Sequence, residues 1–178
     1  MLDAVVVGGL LIALLRHTDR IGVACQAQLV NVIAPIRTEP GGLAWRQSTF
    51  YPFALTSRHA FGDVLDVGLE ADMQETRHGD VTIVDAIATD DSDRGGSAVY
   101  MINRSIDDAV EVAVDARPLA RSRIDKALTI TGPDLDAVNS STHPNNVAPR
   151  ELAEIEVDAG HLTLVLPPAS WTLLSLRH

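Results

Sequence analysis

The sequence predicts a mainly β protein: an antiparallel β-sandwich, jelly-roll-like, preceded by an α/β segment. Two observations carry this. Up to Phe61-Gly62 the apolar pattern reads helix, strand, loop, helix; beyond it, short apolar segments alternate with period two between turn-forming clusters. A third observation sets the scale: 178 residues with 46% hydrophobic and 21% charged content suffice for a real core.

Leu2 to His17 is apolar on most faces, with Val7, Leu10, Leu11, Leu14 and Leu15 at helical spacing. The Gly8-Gly9 pair inside it costs about 1 kcal/mol per residue relative to Ala, which points to close approach by a neighbouring element. Arg16, His17 and Arg20 cluster where cations suit a helix C-terminus. The run is too short to span a bilayer. Asp3 stands where a secretory signal wants basic residues. Ile21 to Val30 reads as a buried strand of the parallel type, apolar on both faces, with Cys25 as an inert core thiol. Thr38-Glu39-Pro40-Gly41-Gly42 forms a loop. Thr49 to His59 is a second helix, with Pro52 tolerated in its first turn.

The sandwich strands follow. Val81, Ile83 and Ile87 alternate; so do Val110, Val112 and Val114 against Glu111 and Asp115. Ile124, Leu128 and Ile130, then Ile155 and Val157, then Leu162, Leu164 and Leu166 continue the pattern, and Trp171 to Leu176 closes the chain. Turns fall at 90–96, 103–105, 132–134 and 158–160.

A formal charge of −10 with scattered Lys and Arg argues against nucleic acid or an anionic membrane as partner. The single cysteine excludes an internal disulfide and fits a reducing cytoplasm. His17, His59, His78, His143, His161 and His178 show no metal-binding spacing, and neither a phosphate loop nor a nucleophile elbow occurs. No cofactor is expected. Asp90, Asp91 and Asp93 crowd a turn but lack the bidentate acid of a calcium loop. Glu154 and Glu156 read as solvated acids on one strand face.

The candidate site lies at Ala27-Gln28-Leu29-Val30-Asn31, an apolar run carrying two amides. A side-chain amide both donates and accepts, so Gln28 suits adjacent hydroxyls of a polar ligand, or equally the backbone at a strand end. Asn31 is expected to organise a loop. Trp45 is either a sugar-stacking ring or, preferably, a packing anchor. Arg46 is expected in a structural ion pair.

These landmarks resemble one family. Gln26-Ala27-Gln28-Leu29-Val30-Asn31-Val32-Ile33-Ala34-Pro35-Ile36 resembles the eighth strand and loop of the catalytic barrel in family 51 α-L-arabinofuranosidases. Asp3-Ala4-Val5-Val6-Val7-Gly8-Gly9 resembles the helix before it, and Trp45-Arg46-Gln47-Ser48-Thr49-Phe50-Tyr51-Pro52-Phe53 the start of the helix after it. In the sandwich, Asp136-Ala137-Val138-Asn139, His143-Pro144-Asn145-Asn146-Val147-Ala148-Pro149 and Pro167-Pro168-Ala169-Ser170-Trp171 are also similar to that family.

The resemblance implies that residues 1–61 are the last helix-strand-helix unit of a (β/α)8 barrel and 62–178 its C-terminal sandwich. It implies retaining hydrolysis of terminal α-L-arabinofuranosyl residues, with Gln28 touching the arabinose. Both catalytic glutamates of such a barrel fall before Met1. Retaining glycosidases need two carboxyl groups about 5–5.5 Å apart, so the chain alone is expected to be inactive. The implied partners are an arabinofuranosyl oligosaccharide in the full-length context, and either further copies of the chain or a missing barrel segment to cover Leu2 to Val30. A non-catalytic carbohydrate-binding or assembly module is the alternative; it requires exposed aromatics, for which the sandwich offers Tyr100 and Trp171.

Overall fold

The computed structural model describes residues 1–119, 123–152 and 154–177; His178 lies outside them. Two helices, α1 (Leu2–Arg16) and α2 (Phe50–His59), flank a small hairpin of β1 (Ile36–Thr38) and β2 (Ala44–Arg46). There follow β3 (Asp63–Leu65), β4 (Met73–Gln74), β5 (Val81–Thr82), β6 (Val84–Asp91), β7 (Gly96–Asn103), β8 (Val110–Asp115) and β9 (Arg123–Ile130). The chain ends with β10 (Arg150–Glu151), β11 (Ile155–Asp158), β12 (His161–Leu166) and β13 (Ser170–Arg177). The expected class is observed: an antiparallel sandwich behind a helical segment.

A six-stranded sheet, ordered β10-β9-β13-β7-β6-β3, packs on a three-stranded sheet, β11-β12-β8. The large sheet is covered on both faces. Tyr100, Ile102, Trp171 and Leu173 face α1 and α2, where they meet Ala4, Val5 and Ile12. Val99, Met101, Leu174 and Leu176 face the small sheet, where they meet Leu162, Leu164 and Leu166. This double coverage explains why β7 does not alternate in sequence: nearly every residue in it is buried.

The glycine pair does what its cost suggests. A Cβ built on Gly8 would stand 2.1 Å from Trp171 Cδ1, and one on Gly9 3.2 Å from Ile102 Cδ1. Helix α1 therefore lies directly on the indole, which is fully buried. An ionic clamp holds its far end. Asp85, on β6, accepts from Arg16 at 2.6 Å and from Arg104 at 2.8 Å. Arg16 also donates to the Ala86 carbonyl at 3.0 Å, and Arg104 to that of Thr82 at 2.7 Å.

Several expectations are corrected. Ile21–Val30 forms no ladder; its one bridge is Val30 to Ile36. An extended segment becomes a strand only beside partners for its N–H and C=O groups, and among the described residues no strand pairs with it beyond that bridge. Val23 and Leu29 consequently stand 83% and 73% exposed, and Cys25 is exposed rather than a core thiol. In β9 the skipped residue Asp125 forms a bulge opposite Ser175-Leu176, so Ile124 and Ile130 enter opposite cores. Val157, on the edge strand β11, is exposed rather than inward.

Candidate functional site

The rim loop from Gln28 to Gln47 is built by its own amides. Asn31 has φ 63°, and its side chain accepts from the Thr38 N–H at 2.8 Å and donates to Thr38 Oγ1 at 2.9 Å. Its backbone N–H donates to the Ile36 carbonyl at 2.8 Å. Asn31 is thus the loop organiser expected of it. Gln47 reaches back across the loop: its side-chain amide donates to the Ala34 carbonyl and its backbone N–H to that of Pro35.

Gln28 stands exposed at the base of this loop with φ 56°. Val32, β-branched, has φ 52°. Left-handed backbone is uncommon for any residue with a Cβ and a real outlier for a β-branched one, and such geometry concentrates at functional sites. Three left-handed residues within 28–32 make this the most strained stretch of the described backbone.

The sandwich holds the loop through one residue that sequence reasoning did not single out for this role. Asn139 Nδ2 donates to the carbonyls of Arg46 at 2.9 Å and Val147 at 2.8 Å, and Asn139 Oδ1 accepts from the Val147 N–H at 2.7 Å. The Asn139 carbonyl in turn accepts from Trp45 Nε1 at 3.1 Å. A buried amide with every group engaged is a fixed joint. Trp45 is half-buried in this joint, a packing anchor rather than a free sugar platform. Arg46 makes no ion pair among the described residues; its guanidinium lies 5.0 Å over the Phe50 ring. The stretches Asp136–Asn139 and His143–Pro149, singled out in the sequence for their family resemblance, contain both ends of this joint. Replacing Asn139 by Ala should cost about 2 kcal/mol by stranding the Val147 N–H and two carbonyls. It should also raise amide exchange across residues 36–47, which hydrogen–deuterium exchange reads directly.

The other candidates separate in space. Glu154 and Glu156 lie exposed at the outer strand β11. Asp91 Oδ1 accepts from the N–H groups of Asp93 and Arg94 at 3.1 and 3.0 Å, so the acidic cluster is a hairpin turn. Among the described residues no three His, Cys, Asp or Glu side chains are grouped to hold a metal ion. Tyr100 and Trp171 are both buried in the helix-facing core, where burial pushes the Tyr100 phenol well above its ordinary range.

The bare surface is as informative as the loop. Leu2, Val6 and Leu10 form an exposed stripe on the side of α1 turned away from the sheet. Beyond α1, Val23, Leu29, Val32, Ile33 and Leu43 are exposed too. Between the helices and residues 21–24 lies an apolar cleft of about 300 Å³, bordered by Leu11, Leu14, Leu15 and Phe53.

Comparison with known proteins places this geometry. Residues 1–170 match the family model described as the alpha-L-arabinofuranosidase C-terminal domain. An intracellular exo-α-(1→5)-L-arabinofuranosidase from Streptomyces lividans is 42% identical over 172 residues, covering 96% of this chain and 26% of that protein. An exo-α-(1→6)-L-arabinofuranosidase from Bifidobacterium longum is 42% identical over 180 residues, covering 98% and 34%. The solved structure of a family 51 α-L-arabinofuranosidase from Bifidobacterium longum superposes with a TM-score of 0.94 at 36% identity, over 99% of this chain and 35% of that one. An arabinofuranosidase from Thermotoga maritima, solved with arabinose, shares the fold with a TM-score of 0.85 at 22% identity, over 98% of this chain and 38% of that one. The chain thus spans about a third or less of the length of the curated relatives it matches.

Proposed function

We infer that this chain, which belongs to the alpha-L-arabinofuranosidase C-terminal domain family, is the C-terminal portion of a retaining α-L-arabinofuranosidase. In this reading residues 1–61 complete a catalytic barrel and 62–178 form the sandwich that braces it. One observation carries it: the apolar flank of α1 and residues 21–33 is bare, on a chain about a third as long as its relatives. Barrel strands and helices are the apolar layers that would cover such a flank, and a strand beside Ile21–Val30 would supply its missing ladder.

Gln28 then projects at the C-terminal end of the last barrel strand, where barrel enzymes place their substrate groups. Its amide pairs with sugar hydroxyls, and the Asn31 loop and the Asn139 joint hold the rim in place. The carboxyl pair of retaining chemistry comes from the preceding barrel. The substrate is an arabinofuranosyl oligosaccharide. Two of the relatives named above are arabinofuranosidases of different linkage, (1→5) and (1→6), so the linkage is left to the barrel. Relatives described as intracellular support a cytoplasmic setting. No helix among the described residues is long and apolar enough to cross a membrane. The alternative of a sugar-binding module loses its platforms, since Tyr100 and Trp171 are both in the core.

The purified chain should not hydrolyse an aryl α-L-arabinofuranoside, and measurable turnover overturns the proposal. Grafted in place of the matching third of the Bifidobacterium longum relative, it should support hydrolysis. In that chimaera Gln28→Ala should lower kcat/KM roughly 100-fold, about 2.7 kcal/mol of transition-state stabilisation. Unchanged kcat/KM would remove Gln28 from the site.

A further inference from the structure

Where α2 stops, three arginines from separate parts of the fold line one cavity of about 460 Å³: Arg58 of α2, Arg94 of the β6–β7 turn and Arg177 of β13. His59, Phe61, Asp91 and Asp125 share its wall. In a chain of net charge −10 with only 14 Lys and Arg, such a gathering runs against the charge of the whole molecule.

Two carboxylates of the same lining, Asp91 and Asp125, offset two of the three positive charges and leave a net excess of one. Asp91 Oδ2 lies 3.4 Å from Arg94 Nε, and Asp125 Oδ1 3.1 Å from Arg177 Nε. In each pair the shortest contact is to the inner nitrogen. Arg58 makes no ion pair among the described residues, and Arg94 and Arg177 each remain more than half exposed. Phe61 holds the Arg94 guanidinium 4.0 Å over its ring, fixing its orientation at little entropic cost. The bulge at Asp125 turns β9 out of register beside the cavity, a local device common next to sites. Burial, then the charges of Lys126 and Arg58, hold the His59 imidazole below its usual range, with Asp125 opposing.

We propose that this cavity binds a small oxyanion, the carboxylate or phosphate group of a small molecule, on the open edges of Arg58, Arg94 and Arg177. A planar guanidinium presents paired N–H donors that match the two-oxygen edge of either group. The cavity is separate from Gln28 and the rim loop, and the proposal does not depend on the arabinofuranosidase reading.

Equilibrium dialysis of the full chain against labelled inorganic phosphate and, separately, labelled glucuronate tests it, and tolerates self-association. At low ionic strength one equivalent per chain should bind, with half-saturation near or below about 1 mM. The tighter of the two probes names the group. Arg58→Gln combined with Arg94→Gln should weaken binding at least tenfold, and about 0.2 M sodium chloride should weaken it severalfold. Both side chains are exposed, so an unchanged unfolding midpoint certifies the variant's fold. Failure of both probes to bind, or binding that the double variant retains, overturns the proposal.

Discussion

Gly8→Ala should destabilise the chain by about 2–3 kcal/mol, against the direction that helix propensity alone dictates. In an open helix interior the same change gains about 1 kcal/mol. Here the new methyl would fall 2.1 Å from Trp171 Cδ1 and 2.7 Å from Cγ and Nε1. The indole is fully buried and packed beside Tyr100 with ring centroids 6.1 Å apart, which leaves it little room to turn away. The helix must lift from the sheet or the core must shift, and overpacking of this kind costs typically 1–3 kcal/mol. In thermal unfolding the loss should appear as roughly 5–10 °C. Gly68→Ala is the control, since a Cβ there meets nothing within 4 Å, and it should leave the midpoint within about 2 °C. A stabilised Gly8→Ala chain would mean that α1 does not rest on Trp171.

Asp85→Ala should be comparably damaging for an electrostatic reason. Asp85 joins α1 to the sandwich through Arg16 and ties in the β7 end through Arg104. Removing one partner of a buried pair costs about 3–5 kcal/mol. Both arginines are partly exposed, at 42% and 31%, so water screens them after the loss and about 2 kcal/mol is the appropriate expectation. Desolvation alone would raise the Asp85 carboxyl; the hydrogen bonds and charges of Arg16 and Arg104 outweigh it and hold the group below its ordinary value. A depressed carboxyl stabilises the fold fully above the unfolded value near 3.9 and loses that contribution as pH falls through the folded value. The midpoint difference between wild type and Asp85→Ala should therefore be constant from pH 7 to about 5 and shrink below about pH 4. A difference that grows on acidification contradicts the clamp.

His59 bends the same curve at higher pH. Its folded-state value lies below the unfolded one, chiefly through burial. The folded chain thus binds fewer protons at that site, and stability falls as pH drops below about 6.5. His59→Gln should flatten that slope in urea titrations between pH 7 and 5.

How much of this could be read from residues alone depends on where each side chain's partners come from. Val110, Val112 and Val114 alternate with Glu111 and Asp115 because β8 has one covered face, and the period survives in the sequence. In β7, helices cover one face and a sheet the other, which erases the period, so only the flanking turns betray that strand. The Gly8-Gly9 pair announced a close neighbour, yet only the fold shows it to be Trp171 and Ile102. Asn31 acts within its own loop, a range at which sequence is informative. Asn139 acts across 93 residues on Arg46, and Asp85 across 69 on Arg16; neither contact has a local signature. Cys25 and Ile21–Val30 look like core because apolar composition reports what a segment is suited to bury, not whether its cover is present.

We propose that the bare flank from α1 to Ile33 docks against a catalytic barrel. Sedimentation of the purified chain, with fluorescence of a hydrophobic dye read on the same samples, addresses it most directly. Self-association with strong dye fluorescence is expected, and Val6→Glu with Leu10→Glu, both on the exposed side of α1, should reduce both without lowering the unfolding midpoint. A wild-type chain that sediments as a clean monomer with little dye fluorescence would contradict the account, because a large bare apolar flank promotes association and dye binding in water.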